Sequence, residues 1–141
     1  MVDALRRARR WLKPDGCLID LRPAEPVPSV EIGPPGRDPA RAGALVVQPE
    51  RYQRHAAADR ALATVLEQRL LYLEQAREFW FLRYADSPRE LQEYIATRWQ
   101  DTRLDAATRA RPERMLGRES NARLWIRERV GIRSLRIGRT M

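Results

Sequence analysis

Cysteine is almost absent from this chain. Cys17 stands alone among 141 residues, which excludes an internal disulfide and any cysteine-based zinc site. Histidine is as scarce. His55 has no second histidine to join it, and zinc sites usually draw three or four ligands, so no metal is expected. Lysine is nearly missing too, with Lys13 alone and the other 26 of the 27 basic residues arginine. No apolar run approaches the roughly 18 residues of a membrane span. Arg6–Arg10 falls where the apolar region of a secretory signal would stand, so a cytoplasmic location is expected. There is no P-loop, no nucleophile elbow and no paired set of metal ligands, so no residue is assigned a catalytic role.

What is present reads as globular. With 43% hydrophobic and 33% charged residues, the chain can bury a core, and its length predicts a single domain over residues 1–141. The net charge of +8 raises nucleic acid or an acidic protein as partner. The arginines are scattered rather than gathered in one block. They therefore support nonspecific phosphate binding without specifying a site.

The most ordered stretch is Asp3–Pro23. Ala4, Leu5, Ala8, Trp11 and Leu12 fall on one side of a helix, and Arg6, Arg7, Arg9 and Arg10 fall mostly on the other. Asp3 is the expected N-cap. Lys13-Pro14-Asp15-Gly16 ends the helix, because Pro14 pushes Lys13 out of helical conformation and Gly16 tolerates a positive φ. Cys17-Leu18-Ile19-Asp20-Leu21 then reads as a strand covered on both faces, closed by Pro23. Asp20 could lie at the carboxyl end of that strand, where open sheets bind ligands, or cap the next turn.

Residues 24–43 hold Pro26, Pro28, Pro34, Pro35 and Pro39 with Gly33, Gly36 and Gly43, a loop or hairpin connection. Val27–Ile32 and Ala44–Gln48 are its extended pieces. Arg51–Glu74 is the longest helical pattern, with Ala58, Leu62, Val65, Leu66, Leu70 and Leu73 on one stripe. Phe79–Ala85 is rich in strand formers and should be buried on at least one face. Trp80, Leu82 and Tyr84 share one side, where they could stack a base or a substrate ring or simply fill a core. Ser87-Pro88-Arg89-Glu90 is a capping box opening a helix. A weaker helix over Leu104–Leu116 follows, interrupted by Pro112 and ended by Gly117, with a solvated basic face of Arg109, Arg111, Arg114 and Arg118. Leu124–Val130 and Ile132–Ile137 flank Gly131 as one bent strand or two.

The helix, the turn Leu12-Lys13-Pro14-Asp15-Gly16 and the strand after it resemble the class I S-adenosylmethionine-dependent methyltransferases. There an LKPGG-like turn leads into the fifth strand of a Rossmann-like sheet; Asp15 stands where the family usually has glycine. That family also closes with antiparallel strands. The resemblance implies an α/β or α+β fold, a partial Rossmann-like sheet with C-terminal antiparallel strands. It covers only the carboxy-terminal, acceptor-side half, because no glycine-rich cofactor loop is present anywhere. The chain is thus expected not to be catalytic alone, and to meet S-adenosylmethionine only if a partner completes it. It implies a homodimer or a protein supplying the missing half, recruited to an incomplete parallel sheet. Tyr52, His55, Trp80 and Tyr84 are the candidate substrate-binding residues. The alternative is a basic, Arg-rich interaction module that binds nucleic acid or an acidic protein. A third reading is an autonomous enzyme built around His55 and Asp59, with His55 as general base.

Overall fold

The computed structural model describes residues 1–24, 27–116 and 121–137. The fold is α+β, with four helices and antiparallel strand pairs among these residues. In chain order the elements are α1 (Val2–Trp11), β1 (Cys17–Pro23), β2 (Ser29–Gly33), β3 (Ala40–Ala44), β4 (Val46–Val47) and α2 (Pro49–Glu67). After them come β5 (Leu71–Ala85), α3 (Pro88–Arg98), β6 (Thr102–Arg103), α4 (Ala106–Leu116) and β7 (Arg123–Ile137). The chain divides into two compact units. The first takes residues 1–24, 52–79 and the chain from Val130 on; the second takes residues 25–51 and 80–129.

In the first unit, β1 pairs antiparallel with β7 from Cys17↔Arg136 to Pro23↔Val130. Leu62, Val65, Leu71 and Leu135 form its core, with Val2, Leu5, Leu12, Leu18, Leu66 and Leu70 packed against them. Trp11 does not join this core and is 84% exposed. At 3.6 residues per turn it sits about 120° around the helix from Leu5, outside the stripe that Val2, Leu5 and Leu12 make. Asp3 is not the N-cap. The helix starts two residues earlier, behind Met1, and Asp3 lies in its first turn paired with Arg6 at 3.3 Å, where a carboxylate still suits the dipole. The strand after the turn is likewise not covered on both faces. Cys17, Ile19 and Leu21 are exposed while Leu18, Asp20 and Arg22 are half-buried, because the core lies on one side of β1 only.

The long helix also ends sooner than its stripe implies. It stops at Glu67, and Leu71–Glu74 belongs to β5. Arg69 adopts a left-handed φ of 55°. Its amide donates to Leu66 O at 2.9 Å and that of Leu70 to Val65 O at 3.0 Å. This is the Schellman closure, with Leu70 packing in the same core as Val65. Arg9 Nε donates to Leu70 O at 2.9 Å. In β5, Glu74 accepts from Ser134 Oγ at 2.9 Å and Arg136 Nε at 2.6 Å. The strand contacts outweigh the last helical turn.

In the second unit, β2 pairs antiparallel with β7 and with β3. The alternation separates two faces. Val30 and Ile32 of β2 stand across from Ile126 and Leu124 of β7, and with Ala42, Leu45, Ala85, Leu91, Ile95 and Leu104 they form the buried core. Helix α3 supplies Leu91 and Ile95, each worth about 1.5–3 kcal/mol when fully buried. Its N-cap forms: Glu90 N donates to Ser87 Oγ at 3.1 Å, while Glu90 Oε2 reaches past the cap to accept from Asp86 N at 2.8 Å. Helix α4 starts at Ala106, behind Asp105. Asp105 Oδ1 accepts from Thr108 N at 2.6 Å, and the Thr108 backbone and side-chain hydrogen bonds hold its carboxyl below the usual range. Pro112 lies buried within α4; Gly117 and Arg118 lie outside the described residues. A Cβ at Gly43 would collide with the Thr108 side chain, so glycine is what lets β3 approach α4.

The Pro/Gly connection is a hairpin between β2 and β3. Arg37 N donates to Pro34 O at 3.4 Å, and Gly36 takes φ +79°, the type II turn that Pro35-Gly36 favours. Its second strand comes earlier than Ala44–Gln48. The chain leaves β3 at Ala44, buries Leu45, and gives only Val46 and Val47 to β4, which pairs with β6. β7 runs unbroken through Gly131, which stays in register opposite Arg22.

Candidate binding groove on the open sheet face

The other face of the second unit's strands carries the chemistry. Trp80, Leu82 and Tyr84 of β5 alternate onto it. So do Arg123, Trp125 and Arg127 of β7, and Glu31 of β2. The hairpin turn adds Pro35, Gly36, Arg37 and Pro39 as a rim. Together they line a groove of about 490 Å³, within the roughly 300–1,000 Å³ of ligand sites.

Its aromatic rings are held by specific contacts. Tyr84 and Trp125 meet edge to face, with centroids 5.4 Å apart and planes at 79°. The Arg127 guanidinium lies 4.2 Å from the Trp80 ring centre, and that of Arg129 lies 6.0 Å away. Trp125 is 7% exposed, whereas Trp80 and Tyr84 are each 49% exposed. β5 as a whole is exposed from Tyr72 to Tyr84, so the expectation that Phe79–Ala85 is buried on one face does not hold. These strand formers pair with β7 but leave their rings half in solvent, which removes core packing as the account of the cluster.

The groove's one acid is Glu31. Its Oε1 accepts from Ser29 Oγ at 3.2 Å and lies 3.6 Å from Arg127 Nη1. Glu31 Oε2, Trp125 Nε1 and Arg127 Nε are buried without a hydrogen-bond partner. Against this single carboxylate stand Arg37, Arg123 and Arg127, so the groove is cationic and aromatic at once.

Of the four candidate residues, the structure brings Trp80 and Tyr84 together here. Tyr52 and His55 lie on α2 in the first unit, Tyr52 exposed and His55 half-buried, and do not line the groove. The neighbouring Asp59 is engaged: it pairs with Arg22 at 3.0 Å and with Arg133 at 3.7 Å. Asp20 sits within β1, paired with the same two arginines at 2.8 and 3.1 Å. A carboxylate so neutralised is poorly placed as a base or a ligand anchor. Glu31, Trp125, Arg123 and Arg127 escape a motif search. Their signal was the alternation itself, since Trp125, Arg127 and Arg129 fall opposite Leu124, Ile126 and Val130.

Among the described residues, no glycine stands at a junction from strand to helix. These junctions are Gln48, Asp86-Ser87 and Leu104-Asp105, and backbone approach to a cofactor at such a junction needs a glycine. Among the described residues, no three His, Cys, Asp or Glu side chains gather as metal ligands, and no helix is long and apolar enough to cross a membrane. Comparison with protein families, curated proteins and solved structures finds no match for the chain.

Proposed function

We propose that the chain binds single-stranded nucleic acid in this groove and is not catalytic by itself. The observation that carries the reading is the company the aromatic rings keep: Trp80, Tyr84 and Trp125 share one open sheet face with Arg37, Arg123 and Arg127. Half-exposed rings offer stacking surfaces to unpaired bases, and the guanidinium groups meet the phosphates between them. A duplex hides its base faces and would use only the arginines.

Fluorescence anisotropy with a labelled uracil-rich octamer tests this. Stacking is worth about 1–3 kcal/mol per base, so Trp80→Ala should weaken binding by roughly five- to 150-fold. Tyr84→Ala should act in the same direction. Trp80 meets the guanidinium groups of Arg127 and Arg129 at the surface, so Trp80→Ala is the cleaner variant; Tyr84→Ala also removes the edge-to-face contact with the buried Trp125. Unchanged affinity in Trp80→Ala would sink the reading.

A second reading keeps the chain as the acceptor-side half of a methyltransferase-like protein. The antiparallel run of β1 along β7 supports it, since β1 follows the Leu12–Gly16 turn that carries the resemblance. Tyr52 and His55 of the first unit, and Trp80 and Tyr84 of the second, would then each be candidates for contact with the acceptor. S-adenosylmethionine would be held by a partner supplying the glycine-rich half, in the cytoplasm. The exposed Ile19 and Leu21 of β1 offer that partner, or a second copy, an apolar surface. Calorimetric titration with S-adenosylmethionine, alone and with proteins encoded beside this chain, decides. Heat only with a neighbour favours a split enzyme, and none in either mixture removes the reading.

A further inference from the structure

The groove floor holds an acceptor and a donor side by side with nothing to bind. Glu31 and Trp125 stand directly opposite each other in the β2–β7 ladder. Both residues are more than nine-tenths buried, and Glu31 Oε2 and Trp125 Nε1 have no partner. Buried polar groups are nearly always paired, and an exception calls for a reason. A ligand edge presenting a donor next to an acceptor would satisfy both atoms at once. Arg127 is the neighbour placed to yield. Its side chain is one-third exposed, lies near Glu31 and occupies the ring of Trp80, and its Nε is the third unpaired atom.

Resting on the nucleic-acid reading of the groove, we propose that Glu31 and Trp125 read the edge of one base and that this base is guanine. Guanine carries N1–H and N2–H beside O6. The two N–H groups donate to the Glu31 carboxylate, and Trp125 Nε1–H donates to O6. Adenine and cytosine bring the carboxylate one amino group with a ring-nitrogen acceptor beside it. Uracil brings a single N–H between two acceptors. A carboxylate repels those acceptors, so only guanine supplies two adjacent donors. The base takes the place of the Arg127 guanidinium against Trp80, and Arg127 turns to the adjoining phosphate, where its charge is better used.

The test is anisotropy titration of the full chain, at one ionic strength, with labelled uracil octamers carrying a single central guanine, adenine or cytosine. The guanine octamer should bind about tenfold tighter than the others, as expected of one well-made base-edge pair. In Glu31→Gln that preference should fall to within about twofold while general binding persists. Trp125→Phe, which deletes the indole N–H, should also reduce it. Equal affinity of the wild-type chain for all octamers overturns the base assignment and leaves the binding function standing. A preference that survives in Glu31→Gln overturns the role of that carboxylate. Failure to bind any octamer overturns both readings.

Discussion

A buried arginine is costly unless its charge is met, and Arg51 shows how this chain meets one. It is 7% exposed. Its Nη2 donates to Glu128 Oε1 at 2.5 Å and its Nη1 to Thr102 Oγ1 at 3.3 Å, with Asp101 at 3.8 Å and the Trp99 ring centre at 5.4 Å. Burial pushes the Glu128 carboxyl up, Arg51 pulls it partly back, and Asp101 adds to the rise. Removing one partner of a buried pair costs about 3–5 kcal/mol, whereas replacing both with apolar residues is often neutral. Arg51→Met should therefore lower stability by about that much at neutral pH, and Arg51→Met with Glu128→Leu by much less. The pH dependence has a definite sign. With its folded value above the unfolded one, the Glu128 contribution to stability is greatest in acid and is lost as pH rises through the folded value. The deficit of Arg51→Met should consequently shrink as pH falls, and chemical denaturation between neutral and acid pH would show it. A deficit that is flat with pH would mean that Glu128 is not the group left stranded. None of this was legible from residue types alone. Arg51 and Glu128 are 77 positions apart, and each is an ordinary surface residue by composition.

At the scale of elements, legibility followed the strength of local signals. The Ser87 N-cap formed where expected and α1 stops ahead of Lys13–Gly16, because each signal is settled within a few residues, although Gly16 does not take the positive φ expected of it. The α2–β5 junction did not form where expected, because Leu70 and Leu73 keep helical spacing while Leu71, Tyr72 and the aromatic run favour a strand. Period alone cannot arbitrate there, and the ladder with β7 decided it. What remains visible is a strained connection: Arg69 is exposed and holds a left-handed φ of 55° without glycine. Such a conformation costs a residue with a Cβ about 1 kcal/mol or more. Arg69→Gly should thus stabilise the chain by about 0.5–1 kcal/mol, read as a rise in denaturation midpoint with an unchanged slope. Arg69→Val, β-branched at positive φ, should move it the other way. If Arg69→Gly proved destabilising, the Schellman closure would not be the determinant of where α2 ends. The β5 aromatics teach a related lesson. Strand propensity holds there, but hydrophobicity does not imply burial, because this face of the sheet is left open.

For the whole molecule, the α+β class was legible, and so was the last strand, from the alternation along Leu124–Val130; the parallel sheet expected around β1 does not form, since β1 pairs antiparallel with β7. The division into two units was not legible, because each draws its core from segments far apart in sequence, Leu62 with Leu135 and Val30 with Ile126. Nor could the sequence say whether 26 scattered arginines act together. Ionic strength separates the cases. Each phosphate neutralised on a single strand releases counterions and contributes about −0.7 to the slope of log K against log salt. Three groove arginines, Arg37, Arg123 and Arg127, therefore predict a slope near −2. Exchanging Arg37 and Arg123 for glutamine should bring it to about −0.7. A wild-type slope far steeper than −2, little altered by those two changes, would mean that the phosphates are held by the molecule's general positive charge. The aromatic face would then be an adjunct to a nonspecific cation, and base stacking on Trp80 could not be what selects single strands.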